Sequence, residues 1–106
     1  MATITMKFGG TSVGSADAIT NVVAITKREV AAGHQVAIVV SAMSRVTDGL
    51  LNIIQMAESG DKWGYLSEVQ KIRERHDETV YALIPPGKSR DALALSLSKL
   101  LDEVVE

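Results

Sequence analysis

The sequence has no cysteine and few aromatic residues, and these absences exclude several kinds of protein. Among its 106 residues there are 2 prolines, and aromatic residues make up 4%. Without cysteine the chain can form neither disulfides nor thiolate metal sites, which suits a reducing compartment. The formal net charge of -2 predicts no bulk attraction to nucleic acid or to an anionic membrane.

The chain start also lacks a targeting pattern. The stretch MATITMKFGG has no basic region followed by an apolar run, as a signal peptide would have. No apolar segment is long enough to cross a bilayer. We therefore expect a cytoplasmic globular protein, and the length suffices for one small domain with a modest core.

Two apolar stretches predict parallel strands joined by a helix. Residues 3–8 alternate between apolar and polar side chains, which indicates a strand with one buried face. The run QVAIVV at 35–40 is apolar almost throughout, as in a strand buried on both faces of a parallel sheet. Between them Ser15 can cap a helix and Gly33 can end it. The sequence therefore predicts a βαβ unit with a right-handed crossover.

The remainder of the chain is predicted to be helical. After the second strand the chain bends at SAMSRVTDG, residues 41–49, where Thr47 or Asp48 can cap a helix that Gly60 ends. The stretch PPG at 85–87 interrupts the helical pattern that follows. We expect a helical hairpin on either side of this break.

These patterns predict an α/β fold in which the βαβ unit precedes the helical hairpin. We place the organisational boundary near Gly60. Residues 1–60 would form one part, and residues 61–106 would form a helical segment of the same domain.

The first bend, KFGGTSVG, has the composition of an anion-binding turn. It leaves the carboxyl end of a strand and enters a helix, which is where ligands bind in open α/β sheets. Gly9 and Gly10 let backbone N–H groups face an anion, the helix dipole favours phosphate, and Lys7 adds a positive charge. The spacing matches neither a Walker loop nor the dinucleotide fingerprint. A tight turn without a ligand is the alternative.

The second bend should lie beside the first, because parallel strands end at the same edge of a sheet. It carries Ser41, Ser44, Thr47 and Asp48, so the two bends together could hold a phosphate donor and an acceptor. The alternative is that these side chains only cap a turn and a helix.

The two bends together resemble a known family. KFGGTSVG, with VVSAMSRVTDGLL after the second strand, is similar to the N-terminal segment of aspartate kinase, a member of the amino acid kinase superfamily. The resemblance implies a doubly wound, three-layer fold. It also implies ATP-dependent phosphorylation of L-aspartate to 4-phospho-L-aspartate, the entry step to lysine, threonine and methionine synthesis, with Mg²⁺ accompanying ATP.

The resemblance also implies that residues 1–60 form the part that binds phosphate and substrate, and it implies roles for individual residues. Lys7 would contact the transferring phosphoryl group as the catalytic residue, while Ser41 and Thr47 would help to hold aspartate. No residue is assigned as a metal ligand. The residues that would bind ATP or phosphate are Lys7, Phe8, Gly9, Gly10, Thr11 and Ser12.

Four further residues invite interpretation. Arg45 stands where many family members have a small residue, often glycine; it could contact an anionic substrate, but we favour a position in solvent. His76 lies on the apolar stripe of its predicted helix, and we interpret it as a core or boundary histidine. Trp63 and Tyr65, near a helix start, are interpreted as packing anchors.

The chain is less than half as long as an amino acid kinase domain, so we expect a partial domain that is inactive alone. The full-length enzyme would bind L-aspartate and ATP and form a homo-oligomer, without nucleic acid or membrane partners. Two alternatives remain: a non-catalytic interaction module derived from such a kinase, and a different small-molecule kinase of the superfamily.

Overall fold

The computed structural model describes residues 2–105, which form two strands and four helices in the order βαβααα. The elements are β1 (Thr3–Phe8), α1 (Ala16–Ala31), β2 (Gln35–Val40), α2 (Val46–Glu58), α3 (Lys62–Leu83) and α4 (Lys88–Val105).

The described chain divides into two compact units between Arg45 and Val46. The first contains β1, α1 and β2, and the second contains the three remaining helices. This division follows the packing of α2 on α3 and lies before the predicted boundary near Gly60. The assignment of residues 1–60 to binding phosphate and substrate, and of residues 61–106 to a helical segment of the same domain, stays a prediction.

The first unit is the predicted βαβ unit. β1 and β2 are parallel, and their register runs from Thr3 beside Gln35 to Phe8 beside Val40. The side chain of Ser15 caps α1 by accepting a hydrogen bond from the amide of Ala18 at 3.1 Å. The α/β fold and the bounds of both strands are confirmed, because alternation and β-branched runs are strong local signals.

The apolar run of β2 is typical of a strand buried on both faces, but in the described structure the strand is not covered. Ile38, Val39 and Val40 are exposed to 46%, 54% and 53% of their full surfaces. Among the described residues, β2 pairs only with β1 and packs on α1. The two-stranded sheet therefore presents an apolar surface.

The second unit is built from α2, α3 and α4. Its core cluster contains Ile53 of α2 together with Val69 and Ile72 of α3, and Tyr65 and Leu101 pack against it. α3 ends at Leu83 and α4 begins at Lys88, so the stretch PPG separates them as predicted. The expected hairpin is confirmed, since α3 packs on α4.

The start of α2 differs from the prediction. Thr47 and Asp48 lie within the first turn and do not precede the helix, because α2 already begins at Val46. Arg45 directly before it has φ = 68°, the left-handed conformation that favours glycine. Asp48 remains favourable there, since a carboxylate in the first turn complements the helix dipole.

Three side chains of α3 show how well packing was predicted. Trp63 is 81% exposed, so its interpretation as a packing anchor is wrong, whereas Tyr65 does pack against the core cluster. His76 is half-buried, and its Nδ1 lies 2.8 Å from the carbonyl oxygen of Ile72, as a boundary histidine would.

Within residues 2–105, no helix is both long and apolar enough to cross a membrane.

Candidate functional site

The first bend follows β1 and folds into two successive tight turns. The amide of Ser12 donates to the carbonyl of Gly9 at 3.0 Å, and the amide of Gly14 donates to the carbonyl of Thr11 at 3.3 Å. The bend then enters α1 at its cap, Ser15. Strand, glycine turn and helix start therefore follow one another without an intervening loop.

The second bend, which follows β2, is hydrogen-bonded to the first through its backbone. The amide of Ser41 donates to the carbonyl of Phe8, and the amide of Ser44 donates to the carbonyl of Gly10, both at 3.1 Å. The two bends therefore lie side by side at the carboxyl edge of the strand pair, as parallel topology requires.

Two glycines of the first bend are needed for this close approach. A Cβ on Gly10 would lie 3.2 Å from the Cα of Ser44 and 3.3 Å from the carbonyl oxygen of Ala42. A Cβ on Gly14 would lie 2.8 Å from the Oγ of Ser44. Gly9 differs from both, because nothing lies within 4 Å of its Cβ position, and it therefore faces open space.

The first bend offers three successive backbone donors. Among residues 2–105, no acceptor takes the amide N–H groups of Gly9, Gly10 and Thr11. Gly9 and Thr11 are exposed and Gly10 is half-buried, so these donors lie at the surface. Consecutive backbone N–H groups of this kind form anion-binding concavities.

Lys7 precedes these donors at the end of β1 and is exposed. Its neighbour in the ladder is Val39. Within residues 2–105 no carboxylate pairs with the Lys7 ammonium group. A positive charge that no protein anion neutralises is suited to an anionic ligand.

The two side chains predicted to hold aspartate have different surroundings. Ser41 belongs to the first unit, and its Oγ donates a hydrogen bond to the carbonyl of Ala42 at 2.6 Å. Thr47 belongs to the second unit, where it is exposed in the first turn of α2. The first unit thus brings Ser41 together with residues 7–12.

A cavity of about 150 Å³ lies in the first unit. Its volume is below the roughly 300–1,000 Å³ of typical small-molecule pockets, so we do not assign it to a nucleotide. Its lining residues are Phe8, Ser12, Ala18, Asn21, Val22 and Ile25.

In the part of the chain that the structure describes, no group of three or more histidine, aspartate or glutamate residues could hold a metal ion.

Sequence reasoning missed the role of Ser44 in joining the bends. Ser44 was one of several polar residues in the second bend, and its contact with Gly10 is made by a backbone N–H. Because every residue except proline has a backbone N–H, side-chain chemistry does not predict which residue will donate this hydrogen bond. The spacing of Gly10 and Gly14 is the signal that could have pointed to a close approach of two chain segments.

Comparison with known proteins identifies the family. The model of the amino acid kinase family matches residues 2–104. An aspartokinase of Rickettsia conorii is 51% identical over 108 residues, which cover 96% of this chain and 27% of that protein. A chloroplastic bifunctional aspartokinase/homoserine dehydrogenase 1 of Arabidopsis thaliana is 37% identical over 98 residues, covering 92% of this chain and 10% of the relative.

The chain belongs to the amino acid kinase family, and its α/β architecture is that of part of such a domain. Within that family its similarity is to aspartokinases, which confirms the resemblance that the two bends indicated. The chain spans between a tenth and about a quarter of the length of these two relatives.

Proposed function

We propose that the first unit is the phosphate-binding part of an aspartate kinase, which transfers the γ-phosphoryl group of ATP to the side-chain carboxylate of L-aspartate. The observation that carries this proposal is the row of three amides, on Gly9, Gly10 and Thr11, that have no acceptor among residues 2–105. The similarity to aspartokinases supports the choice of this reaction and these substrates, and the donors of the bend support a phosphate site there.

The donors of the first bend suit the charge of a nucleotide. Hydrogen bonds from backbone N–H groups to phosphate oxygens are charge-assisted and are about twice as strong as neutral ones. The N-terminus of α1, which follows the bend, favours negative charge. Lys7 adds a full positive charge, and we assign it to the transferring phosphoryl group.

The reaction needs little covalent chemistry from the protein. A carboxylate oxygen of aspartate attacks the γ-phosphorus, the bond to the β-phosphate oxygen breaks, and ADP leaves. Catalysis of such a transfer depends on positioning and on neutralising charge. Mg²⁺ would accompany ATP, and we assign it no protein ligand.

Ser41 and Thr47 are proposed to hold aspartate. The hydroxyl of Ser41 donates to the carbonyl of Ala42, and its oxygen keeps lone pairs that can accept a hydrogen bond from the ammonium group of aspartate. Thr47 would contribute a second hydroxyl. These roles follow from the resemblance to aspartate kinase.

The activity can be tested in a chimera. Residues 2–105 would replace the matching region of the Rickettsia conorii aspartokinase, to which the chain is 51% identical. The measurement is aspartate-dependent release of ADP in a coupled assay, with other amino acids as alternative acceptors. Turnover with aspartate is expected.

Lys7→Ala in this chimera should lower kcat about 100-fold or more, the usual effect of removing one preorganised group at a developing charge. Lys27→Ala is the matched control, because Lys27 is an exposed lysine on α1 and should leave kcat unchanged. Full turnover of the Lys7 variant would contradict the catalytic assignment.

Ser41→Ala and Thr47→Ala should raise the KM for aspartate roughly ten- to a hundredfold and affect the KM for ATP less, since a hydrogen bond to a charged ligand contributes about 1.5–3 kcal/mol. An increase confined to the KM for ATP would show that the second bend binds the nucleotide and the first bend binds aspartate. A folded chimera without turnover would favour the non-catalytic interaction module, and turnover with another acceptor would favour a different small-molecule kinase.

A further inference from the structure

We propose that Ser44 is a positioning residue that holds the first bend in its phosphate-binding form through its backbone N–H, assisted by Ser41. This inference rests on the proposed function, because it explains how the donors of that site are oriented. It assigns a role to the second bend that does not require contact with either substrate.

The geometry of the peptide group allows such control at a distance. A trans peptide is planar, so the C=O of one residue and the N–H of the next point in opposite directions within one rigid plane. A hydrogen bond that fixes a carbonyl therefore also fixes the direction of the following N–H. The orientation of an anion-binding N–H can therefore be controlled by a hydrogen bond to the carbonyl oxygen of the same peptide group.

The first two donors of the first bend are controlled in this way. The carbonyl of Phe8, which precedes the Gly9 amide, accepts from Ser41 at 3.1 Å. The carbonyl of Gly9, which precedes the Gly10 amide, accepts from Ser12 at 3.0 Å. The directions of both amides are therefore set by hydrogen bonds on the opposite side of their peptide planes.

The third donor, the Thr11 amide, is controlled by Ser44. The carbonyl of Gly10 accepts from the amide of Ser44 at 3.1 Å. This hydrogen bond fixes the Gly10–Thr11 peptide and hence the direction of the Thr11 N–H. Two of the three peptide planes are thus held by the second bend, through Ser41 and Ser44, and one is held within the first bend.

Close packing reinforces this hydrogen bond. The Cβ positions of Gly10 and Gly14 would lie 3.2 Å from the Cα and 2.8 Å from the Oγ of Ser44, respectively, so a side chain at either position would require Ser44 to shift. The bend is therefore held by contact as well as by hydrogen bonding. Donors that are already oriented bind an anion without the free-energy cost of ordering the loop.

The direct test removes the N–H of Ser44 and leaves every side chain intact. In the 106-residue chain, an ester would replace the amide between Met43 and Ser44. The matched control places the ester between Ser41 and Ala42, since the Ala42 N–H has no acceptor among the described residues. The probes are the residual dipolar coupling of the Thr11 N–H and the affinity for inorganic pyrophosphate.

The Ser44 ester should change the dipolar coupling of Thr11 and weaken pyrophosphate binding about three- to tenfold, the usual effect of losing one hydrogen bond. The Ala42 ester should change neither. An unchanged coupling and affinity in the Ser44 ester would overturn the positioning role.

A side-chain experiment provides an independent check. Gly14→Ala should weaken pyrophosphate binding, because its Cβ would lie 2.8 Å from the Oγ of Ser44 and 3.0 Å from the carbonyl oxygen of Gly10, the acceptor of the Ser44 N–H. Ser44→Ala in the same chain should restore only the part of the affinity that is lost through the Oγ contact. Ser44→Ala alone keeps the backbone N–H and should therefore weaken pyrophosphate binding less than the Ser44 ester does. If Ser44→Ala alone weakened binding as much as the ester, the side chain and not the backbone N–H would be the controlling group, and the proposal would be overturned.

The two proposals can fail separately. If the unaltered chain shows no response of the Gly9, Gly10 and Thr11 amides to pyrophosphate, the proposed function is contradicted. The dipolar coupling in the Ser44 ester still decides whether Ser44 orients the Thr11 amide. If pyrophosphate binds and the ester has no effect, the positioning role alone is overturned.

Discussion

Replacing Arg45 by glycine should leave the chain more stable than replacing it by alanine, although both substitutions remove the same side chain. Arg45 is exposed and has φ = 68°, while Gly33, Gly60 and Gly87 are the other described residues with positive φ. An L-residue in the left-handed region pays a steric cost because its Cβ approaches the following carbonyl oxygen. Glycine has no Cβ and avoids that cost.

The size of the effect depends on two opposing contributions. The left-handed conformation costs a residue other than glycine about 1–2 kcal/mol. Glycine loses about 0.5–1 kcal/mol more conformational free energy on folding than alanine does. The difference predicts that Arg45→Gly is more stable than Arg45→Ala by about 0.5–1 kcal/mol.

Urea unfolding followed by circular dichroism can measure this difference. Arg45→Ala is the matched control, because it removes the same side chain and keeps the strained conformation. The transition of the Arg45→Gly variant should have its midpoint at higher urea than that of the alanine variant, with an unchanged slope. The opposite order, which is usual at a right-handed helical position, would refute the reasoning.

Two further predictions concern the core and the sheet. Ile53→Ala should lower the free energy of unfolding by about 2–4 kcal/mol, because Ile53 is only 6% exposed. Ile54→Ala, at a neighbour that is 53% exposed, should lower it by less than about 1 kcal/mol. Equal midpoints of urea unfolding for the two variants would contradict the location of the core. The chain should also self-associate through β2, and Val39→Lys should reduce its sedimentation coefficient at high concentration more than Val30→Lys does, although both valines are similarly exposed, at 54% and 56%. Equal effects of the two lysines would argue against association through the strand.

The secondary structure was largely predictable because its signals are local. Both strands begin and end at the predicted residues, and the Ser15 cap follows from a serine placed before an acidic first turn. The start of α2 at Val46 was predicted too late in the chain. The start of α2 depends on the left-handed conformation of Arg45, and an arginine side chain does not predict that conformation.

Burial and backbone contacts were harder to predict. The apolar run of β2 correctly indicated a strand, yet burial depends on what packs against a strand, and the run itself does not contain that information. The glycines of the first bend were recognised as an anion-binding pattern, which stays a prediction. The N–H groups of Ser41 and Ser44, which donate hydrogen bonds to the first bend, are backbone groups common to almost every residue, so the sequence did not predict their contacts.

The register of the strand pair has a consequence for how the chain folds. Every residue of β1 pairs with a residue 32 positions later, as Thr3 does with Gln35. Closing a loop of that length costs about 3 kcal/mol in chain entropy before the first ladder hydrogen bond can form. In the second unit, by contrast, α2 packs on α3 and α3 on α4, so each contact joins neighbouring elements. Because local contacts form fastest, the helices should collapse first and the sheet should close in a later, slower phase.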